Sequence, residues 1–249
     1  MLSVHSASLT DTGRKRSHNE DFIALFEPSD PHELMVSGCL YIVADGVGGS
    51  VKGERASRYA AEKVLYEFFR RQDQPPADRL RELLWEAGND IYAYASENEH
   101  HRRMATTLVA AVIWEATLTV ANVGDSRAYL IRSDAAMQIT KDHTELGEAS
   151  SLQQVGNDPV QRGRGRNKIT RSLGGEANIL VDIYSGISLK PGDRILLCSD
   201  GLTRYAQAED LVKFAGVVEL EQAAGSLVGF ANQRGGADNI SVIIIEVSH

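Results

Sequence analysis

The sequence predicts an α+β protein in which stacked β-sheets lie inside a shell of helices. Three observations predict it. Runs at 39–44, 194–199 and 240–247 have almost no polar interruption, as expected of strands covered on both faces. The β-rich runs 107–114, 117–123 and 126–132 follow one another through very short turns, the pattern of an antiparallel meander. Helical periodicity is confined to three segments that alternate with these runs.

Along the chain, the first fully apolar strand, 39–44, is followed by a helix predicted over 53–72. There Ala56, Tyr59, Ala60, Val64, Leu65, Phe68 and Phe69 share one stripe. Leu80, Leu83, Leu84, Ala87 and Ile91 form a second stripe over 77–98, and Pro75 and Pro76 separate the two segments into an antiparallel helical pair. The meander comes next, then the strand at 194–199. A helical region at 209–233, broken near Gly216, leads into the last strand. Strands buried on both sides need helices outside them, and such layering places strand ends together at one rim.

The chain has 249 residues, 43% hydrophobic and 24% charged, with no internal repeat and no low-complexity linker, so a single domain over 1–249 is the simplest organisation. A net charge of −8 disfavours broad attraction to nucleic acid or anionic lipid, and an anionic substrate would need local cations. Cys39 and Cys198 each sit inside an apolar run, as small core residues of a protein in a reducing cytoplasm do. The N-terminus lacks a basic region followed by an apolar one, and no apolar stretch approaches the roughly 18 residues that span a bilayer, so neither export nor membrane insertion is expected.

Four aspartates stand at the ends of the apolar runs: Asp45, Asp125, Asp200 and Asp238. Each alone is explained as a turn former, since Asp-Gly and Gly-Asp pairs favour turns. Together they mean more. Carboxylates crowded at one rim raise one another's pKa and persist only if protonated or neutralised by cations. An oxygen-only set suits hard ions such as Mg²⁺ or Mn²⁺ rather than zinc.

The segments Arg16-Ser-His-Asn-Glu-Asp21, Val43-Ala-Asp-Gly-Val-Gly-Gly49, Ala105-Thr-Thr107, Val123-Gly-Asp-Ser-Arg127, Asp142-His-Thr144, Thr170-Arg-Ser-Leu-Gly174, Ser199-Asp-Gly-Leu-Thr203 and Gly236-Ala-Asp-Asn239 follow one another in the order and spacing of a known family. In these motifs the chain resembles the metal-dependent type 2C (PPM) protein Ser/Thr phosphatases, the bacterial branch in particular, from about residue 5 to 247. The resemblance implies two antiparallel sheets between helices, in α-β-β-α layers, with two Mn²⁺ or Mg²⁺ ions at one end. It implies that Asp45 bridges both ions, that the Gly46 carbonyl serves one, and that Asp200 and Asp238 serve the other. Glu20 and Asp21 would be ligands of the ions or partners of their water, Asn239 would orient Asp238 or a water, and Arg16 would bind phosphate. Arginine suits that last task because its planar fork matches phosphate oxygens; taken alone, Arg16 would read as a solvated charge in a basic run. The implied substrates are phosphorylated Ser/Thr proteins, and the implied partner is a cognate kinase.

Two residues depart from the family pattern. Val47 stands where many eukaryotic members have a histidine proposed to protonate the leaving group. His143 is a substitute by residue type, although a buried structural role hydrogen-bonded to backbone suits it better; water held by the ions is the expected proton donor. Arg204 stands where relatives commonly carry an acidic residue that helps Asp125 hold a third, weaker ion. A cation there would weaken a third site at Asp125 and Asp200 unless its side chain points to solvent.

The segment 145–168 takes the place of the family's flap, and its 161–168 stretch carries four basic residues, Arg162, Arg164, Arg166 and Lys168. It reads either as a surface loop or as a basic lip recruiting acidic phosphopeptides. A catalytically weak phosphoprotein-binding module and a phosphatase for small metabolites are the competing readings of the whole chain.

Overall fold

The computed structural model describes residues 2–47, 51–97, 104–151, 168–217 and 219–248. Two five-stranded sheets face each other. The first runs in the order β1 (Ser3–Asp11), β12 (Ile240–Ser248), β11 (Arg194–Cys198), β8 (Arg127–Arg132) and β9 (Ala135–Gln138). The second runs β10 (Asp182–Ser188), β7 (Thr117–Val123), β6 (Leu108–Trp114), β3 (Cys39–Ala44) and β2 (Phe22–Phe26). All pairings within the two sheets are antiparallel.

Alternation of side chains across each strand builds three apolar layers. In β3, Leu40, Ile42 and Ala44 face the layer shared with α2 (Val51–Phe68) and α3 (Pro76–Glu97), while Cys39, Tyr41 and Val43 face the other sheet. In β12, Val242 and Ile244 join the layer under α6 (Ala208–Ala215) and α7 (Leu220–Gln233), while Ile243, Ile245 and Val247 fill the space between the sheets. Cys39 and Cys198 belong to different layers, and both are free and buried. The helical pair is antiparallel: Arg71 bonds Glu86, Lys63 bonds Asp90, and Arg55 lies over Tyr94.

The strands buried at every position, β3 and β7 apart from its first residue, begin and end where the sequence places them. Other boundaries shift. The expected helix at 53–72 spans 51–68, and the break near Gly216 separates α6 from α7. Thr107 lies outside β6; Ala105 and Thr106 form β5, paired with Gly46 and Val47 of β4. Strands β1, β2, β9 and β10 and helix α1 (Pro31–Ser37) are additions to the predicted elements.

Register places the functional rim. Cys198 pairs with Val242, Val43 with Val109, Val123 with Leu108, Phe22 with Ala44, and Asp11 with Ile240. The ends of β1, β3, β7 and β11 and the starts of β2, β6, β8 and β12 therefore meet at one edge of the sandwich.

Candidate metal centre

Each carboxylate of the rim hangs from one of those strand ends. Asp45 follows β3, and its carbonyl accepts from the Thr107 N–H at 2.9 Å and from Thr106 Oγ1 at 2.8 Å. Asp200 follows β11 and Asp238 precedes β12; the two strands are clasped there by the Ser199 N–H on the Ser241 carbonyl and the Ser241 N–H on Ser199 Oγ, both at 3.0 Å. Asp125 lies where the chain crosses from β7 in one sheet to β8 in the other. Glu20 and Asp21 immediately precede β2.

Two glycines allow these segments to touch. A Cβ on Gly46 would stand 2.4 Å from the Gly53 backbone and 2.5 Å from the Glu20 carbonyl, and one on Gly53 would stand 2.0 Å from Glu20 Oε2. The start of α2, the end of β3 and Glu20 thus pack with no side chain between them. The Glu20 carbonyl accepts from the Gly46 N–H at 3.2 Å and from Ser57 Oγ at 2.6 Å, which fixes the packing.

Eight of the nine predicted site residues, Arg16, Glu20, Asp45, Gly46, Asp125, Asp200, Asp238 and Asn239, line one cavity of about 180 Å³, joined by Val47 and Ile169. Asp21 stands behind them, buried, with Oδ2 accepting from Ser241 Oγ at 2.7 Å. Sequence reasoning missed Ser199, Ser241, Ser57, Gly53 and Ile169. A serine inside the otherwise apolar start of β12 was the available signal for Ser241.

The cluster is short of positive charge. Burial, then the charges of Asp21, Asp200, Asp125 and Asp238, holds the Asp45 carboxyl well above the ordinary carboxylate range. Burial pushes Asp21 up to about 7, reinforced by Asp200 and Asp238 and opposed by the Ser241 and Ser199 hydroxyls. Burial followed by Asp200 and Asp142 pushes Asp125 up to about 7. Asp200 is raised by burial and Asp238 against the pull of Arg204 and Arg16. Among the described residues, Asp21 Oδ1 and Asp125 Oδ1 are buried without a hydrogen-bond partner.

Orphaned carboxylate oxygens in an all-oxygen donor set fit hard divalent cations. Asp45 is the central member, since the charges of four neighbouring aspartates all act on it. Among the described residues, no three acidic, histidine or cysteine side chains already close on a single point in the manner of a filled ion site. Two of the carboxylates are instead drawn to arginines. The Arg16 fork closes on Asp238, Nε to Oδ1 and Nη2 to Oδ2, both at 2.8 Å. Arg204 Nη2 lies 3.4 Å from Asp200 Oδ2 and 3.6 Å from Asp238 Oδ2. Arg204 therefore points into the site, so the solvent-directed course that would have spared a third ion is not the one it takes.

Asn239 meets Asp238 through its backbone and not through its amide. Its side chain does not reach Asp238: Nδ2 donates to the Thr12 and His18 carbonyls, both at 2.9 Å, and Oδ1 accepts from the Glu20 N–H at 2.8 Å. It ties the loop bearing Arg16 and Glu20 to the start of β12, while its backbone N–H donates to Asp238 Oδ1 at 3.0 Å. His143 is fully buried and lines no part of the cavity. The Gly124 N–H donates to its Nδ1 at 3.0 Å, leaving Nε2 to carry the proton toward Asp182 Oδ2 at 3.1 Å. Burial lowers its pKa. It is a structural histidine, and Val47 brings no proton to the cavity.

Of the predicted flap, residues 145–151 form helix α4 (Glu145–Ser151), and the Glu145 N–H donates to the Lys168 carbonyl at 3.1 Å. Residues 152–167, with Arg162, Arg164 and Arg166, lie outside the described residues.

A sandwich of two antiparallel sheets between helices, with an oxygen-only carboxylate cluster and an arginine fork at its rim, defines a metal-dependent hydrolase of phosphate monoesters. The model of the protein phosphatase 2C family matches residues 14–228, and the chain belongs to that family. It is 33% identical over 250 residues to the serine/threonine phosphatase Stp of Listeria innocua, covering 98% of this chain and 96% of that one. The structure is similar to that of the serine/threonine phosphatase Stp1 from Staphylococcus aureus, with a TM-score of 0.86, 28% identity, and 99% and 96% of the two chains covered. It is also similar to the catalytic domain of the serine/threonine protein phosphatase PstP in complex with two manganese ions, with a TM-score of 0.79, 27% identity and both chains fully covered. The activity of the family, metal-dependent removal of phosphate from serine and threonine residues of proteins, is the activity of this chain. Among the described residues, no helix is long and apolar enough to cross a membrane.

Proposed function

We propose that this chain hydrolyses phosphoserine and phosphothreonine in bacterial phosphoproteins with two Mn²⁺ or Mg²⁺ ions held between Asp45, the Gly46 carbonyl, Asp200 and Asp238. The carrying observation is the burial of Asp45 among four other aspartates whose charges all raise its pKa. When bound, the two ions lower the pKa of a shared water and offset the charge of the phosphate dianion. Asp45 lies at the centre of the carboxylates and would hold both ions. Glu20, which lines the cavity, would orient water held by the ions from the side of β2, with Asp21 buried behind it, and the Asn239 Oδ1 keeps Glu20 in place by accepting from the Glu20 N–H.

Arg16, half-exposed at the mouth, exchanges Asp238 for the phosphate oxygens, which match its fork equally well. Its charge then lies where the equatorial oxygens gain charge in the transition state. With Val47 in the wall, the leaving oxygen takes its proton from water. A third ion at Asp125 is at most weakly held, because Arg204 is close to Asp200. A cognate Ser/Thr kinase supplies the substrates, and the free buried thiols suit a reducing cytoplasm. The basic 161–168 stretch favours acidic phosphopeptides. Retention of Arg16, Asp45, Asp200 and Asp238 disfavours a binding module without turnover.

The test is Mn²⁺-dependent hydrolysis of an aryl phosphate and of a phosphopeptide panel. Turnover lost with chelator and with Asp45→Asn, and higher on phosphopeptides than on phosphorylated metabolites, is expected. Metal-independent turnover would refute the reading, and a preference for small metabolites would redirect it.

A further inference from the structure

We propose that the guanidinium of Arg204 is the resident cation of the cleft beside the ion pair, standing where a third divalent ion would otherwise be drawn. The inference rests on the two-ion reading above and concerns only what lies next to that pair. A cleft of about 580 Å³ shares Asp125 and Asp200 with the ion cavity, and Arg127, Asp142, Thr203 and Arg204 also line it. Its two arginines differ in their commitments. Arg127 is held by Asp142 through Nε at 2.8 Å and Nη2 at 2.6 Å, with Nη1 on the Tyr129 hydroxyl at 2.9 Å. It balances Asp142 and has little to give to Asp125.

Arg204 is placed differently. It caps the single turn of α5 (Asp200–Thr203), its N–H on the Asp200 carbonyl at 2.8 Å, so the four-residue spacing turns its side chain to the same face as Asp200. Its head contacts Asp200 and Asp238 at 3.4 and 3.6 Å, longer than the 2.8 Å fork of Arg16 on Asp238. With 46% of its side chain exposed, Arg204 stands at the open side of the cleft. Asp125 has the opposite need. It is 9% exposed, and its Oδ1 has no hydrogen-bond partner among the described residues.

Asp125 and Asp200 put two negative charges on this cleft, and Arg204 is the arginine there that, among the described residues, no further carboxylate outside the site claims in the way Asp142 claims Arg127. A divalent ion shared by Asp125 and Asp200 would have to enter beside a charge that stands 3.4 Å from Asp200 and cannot be removed by deprotonation. Being part of the chain, the guanidinium is present at fixed high effective concentration, whatever the supply of metal. The third-ion position expected from the family therefore does not fit this chain as it stands.

The test is a count of bound ions. Equilibrium dialysis against Mn²⁺ with elemental analysis, supported by calorimetry, is run on the full chain and on Arg204→Asp, Arg204→Ala, Arg204→Lys and Asp45→Asn. Two ions are expected for the protein itself and for Arg204→Lys, which keeps the charge. Arg204→Asp should bind a third, and Arg204→Ala should tighten it by roughly tenfold or more, as changes in ligand charge count do. Adding Asp125→Asn to Arg204→Asp should return the count to two. Arg204→Ala, which introduces no new charge, covers the case of an Arg204→Asp protein that fails to fold, and melting curves report which case holds. A third ion already bound by the unmodified protein, or a count of two in both the Asp and Ala variants, would overturn the inference and leave the ion pair standing. Binding unaffected by Asp45→Asn would overturn the two-ion reading and this inference with it.

Discussion

The two ends of the sandwich are built from the same strands and differ in nearly every physical respect. At the end where β3 finishes, a cavity of about 180 Å³ is walled by carboxylates and by Arg16, whose fork is closed on Asp238, with Arg204 more loosely paired beside it. At the end where β3 starts, a larger cavity of about 320 Å³ is walled by Leu2, Val4, Leu34, Cys39, Ile113 and their neighbours. Volume and apolar lining would select the second as a ligand site. Chemistry selects the first, because only there does the fold hold groups in a state that costs stability unless something binds. The apolar end is packing that stops short of completion; the acidic end is a standing demand for cations.

Substitutions at the two ends should therefore separate stability from turnover. The largest effect is expected for Asp45→Asn. Turnover should fall on the order of a thousandfold, as when a group aimed at the transition state is removed. The melting temperature in chelator should rise, because a buried charge has gone; a fall in both would count against charge crowding at Asp45. At the other end, Ile113→Ala should cost about 2–4 kcal/mol in denaturant unfolding. Turnover of the folded protein with Mn²⁺ should stay unchanged, and a loss of turnover would mean that the two ends are coupled.

Acidity gives a smaller contrast. Asp21 and Asp125 have folded-state pKa values near 7, above the roughly 4 of an unfolded chain, so the folded state binds more protons between those values. The stability they contribute is full below about pH 4 and is lost as pH rises through about 7. The melting temperature in chelator should climb as pH is lowered from 8 to 5, and Asp21→Asn should flatten the climb; a profile falling toward acid would contradict it. The smallest effect concerns the basic stretch. Neutralising Arg162, Arg164 and Arg166 should raise KM several-fold for acidic phosphopeptides and leave an aryl phosphate nearly untouched, with equal changes on both sinking the idea of a recruiting lip.

The same contrast governs what could be read from sequence. Strand β3 is buried at all six positions, and a continuous apolar run leaves little choice of boundary. Strand β1 has one buried position in nine, and β10 is an edge strand with an irregularity between Tyr184 and Ile187; neither carries a periodic apolar signal strong enough to find. The rim aspartates were legible because each interrupts or ends an apolar run, and their convergence followed from the layering. The directions taken by Arg204 and by the Asn239 amide were not, since they depend on which charges and carbonyls other loops bring alongside. Sequence places a long polar side chain at a rim; the neighbours decide where it points.

Anomalous diffraction from Mn²⁺-loaded crystals at the manganese edge tests the central claim most directly. Two peaks about 3.5–4 Å apart, both within coordination distance of Asp45, are expected. A single peak, or a pair of which only one touches Asp45, would contradict it.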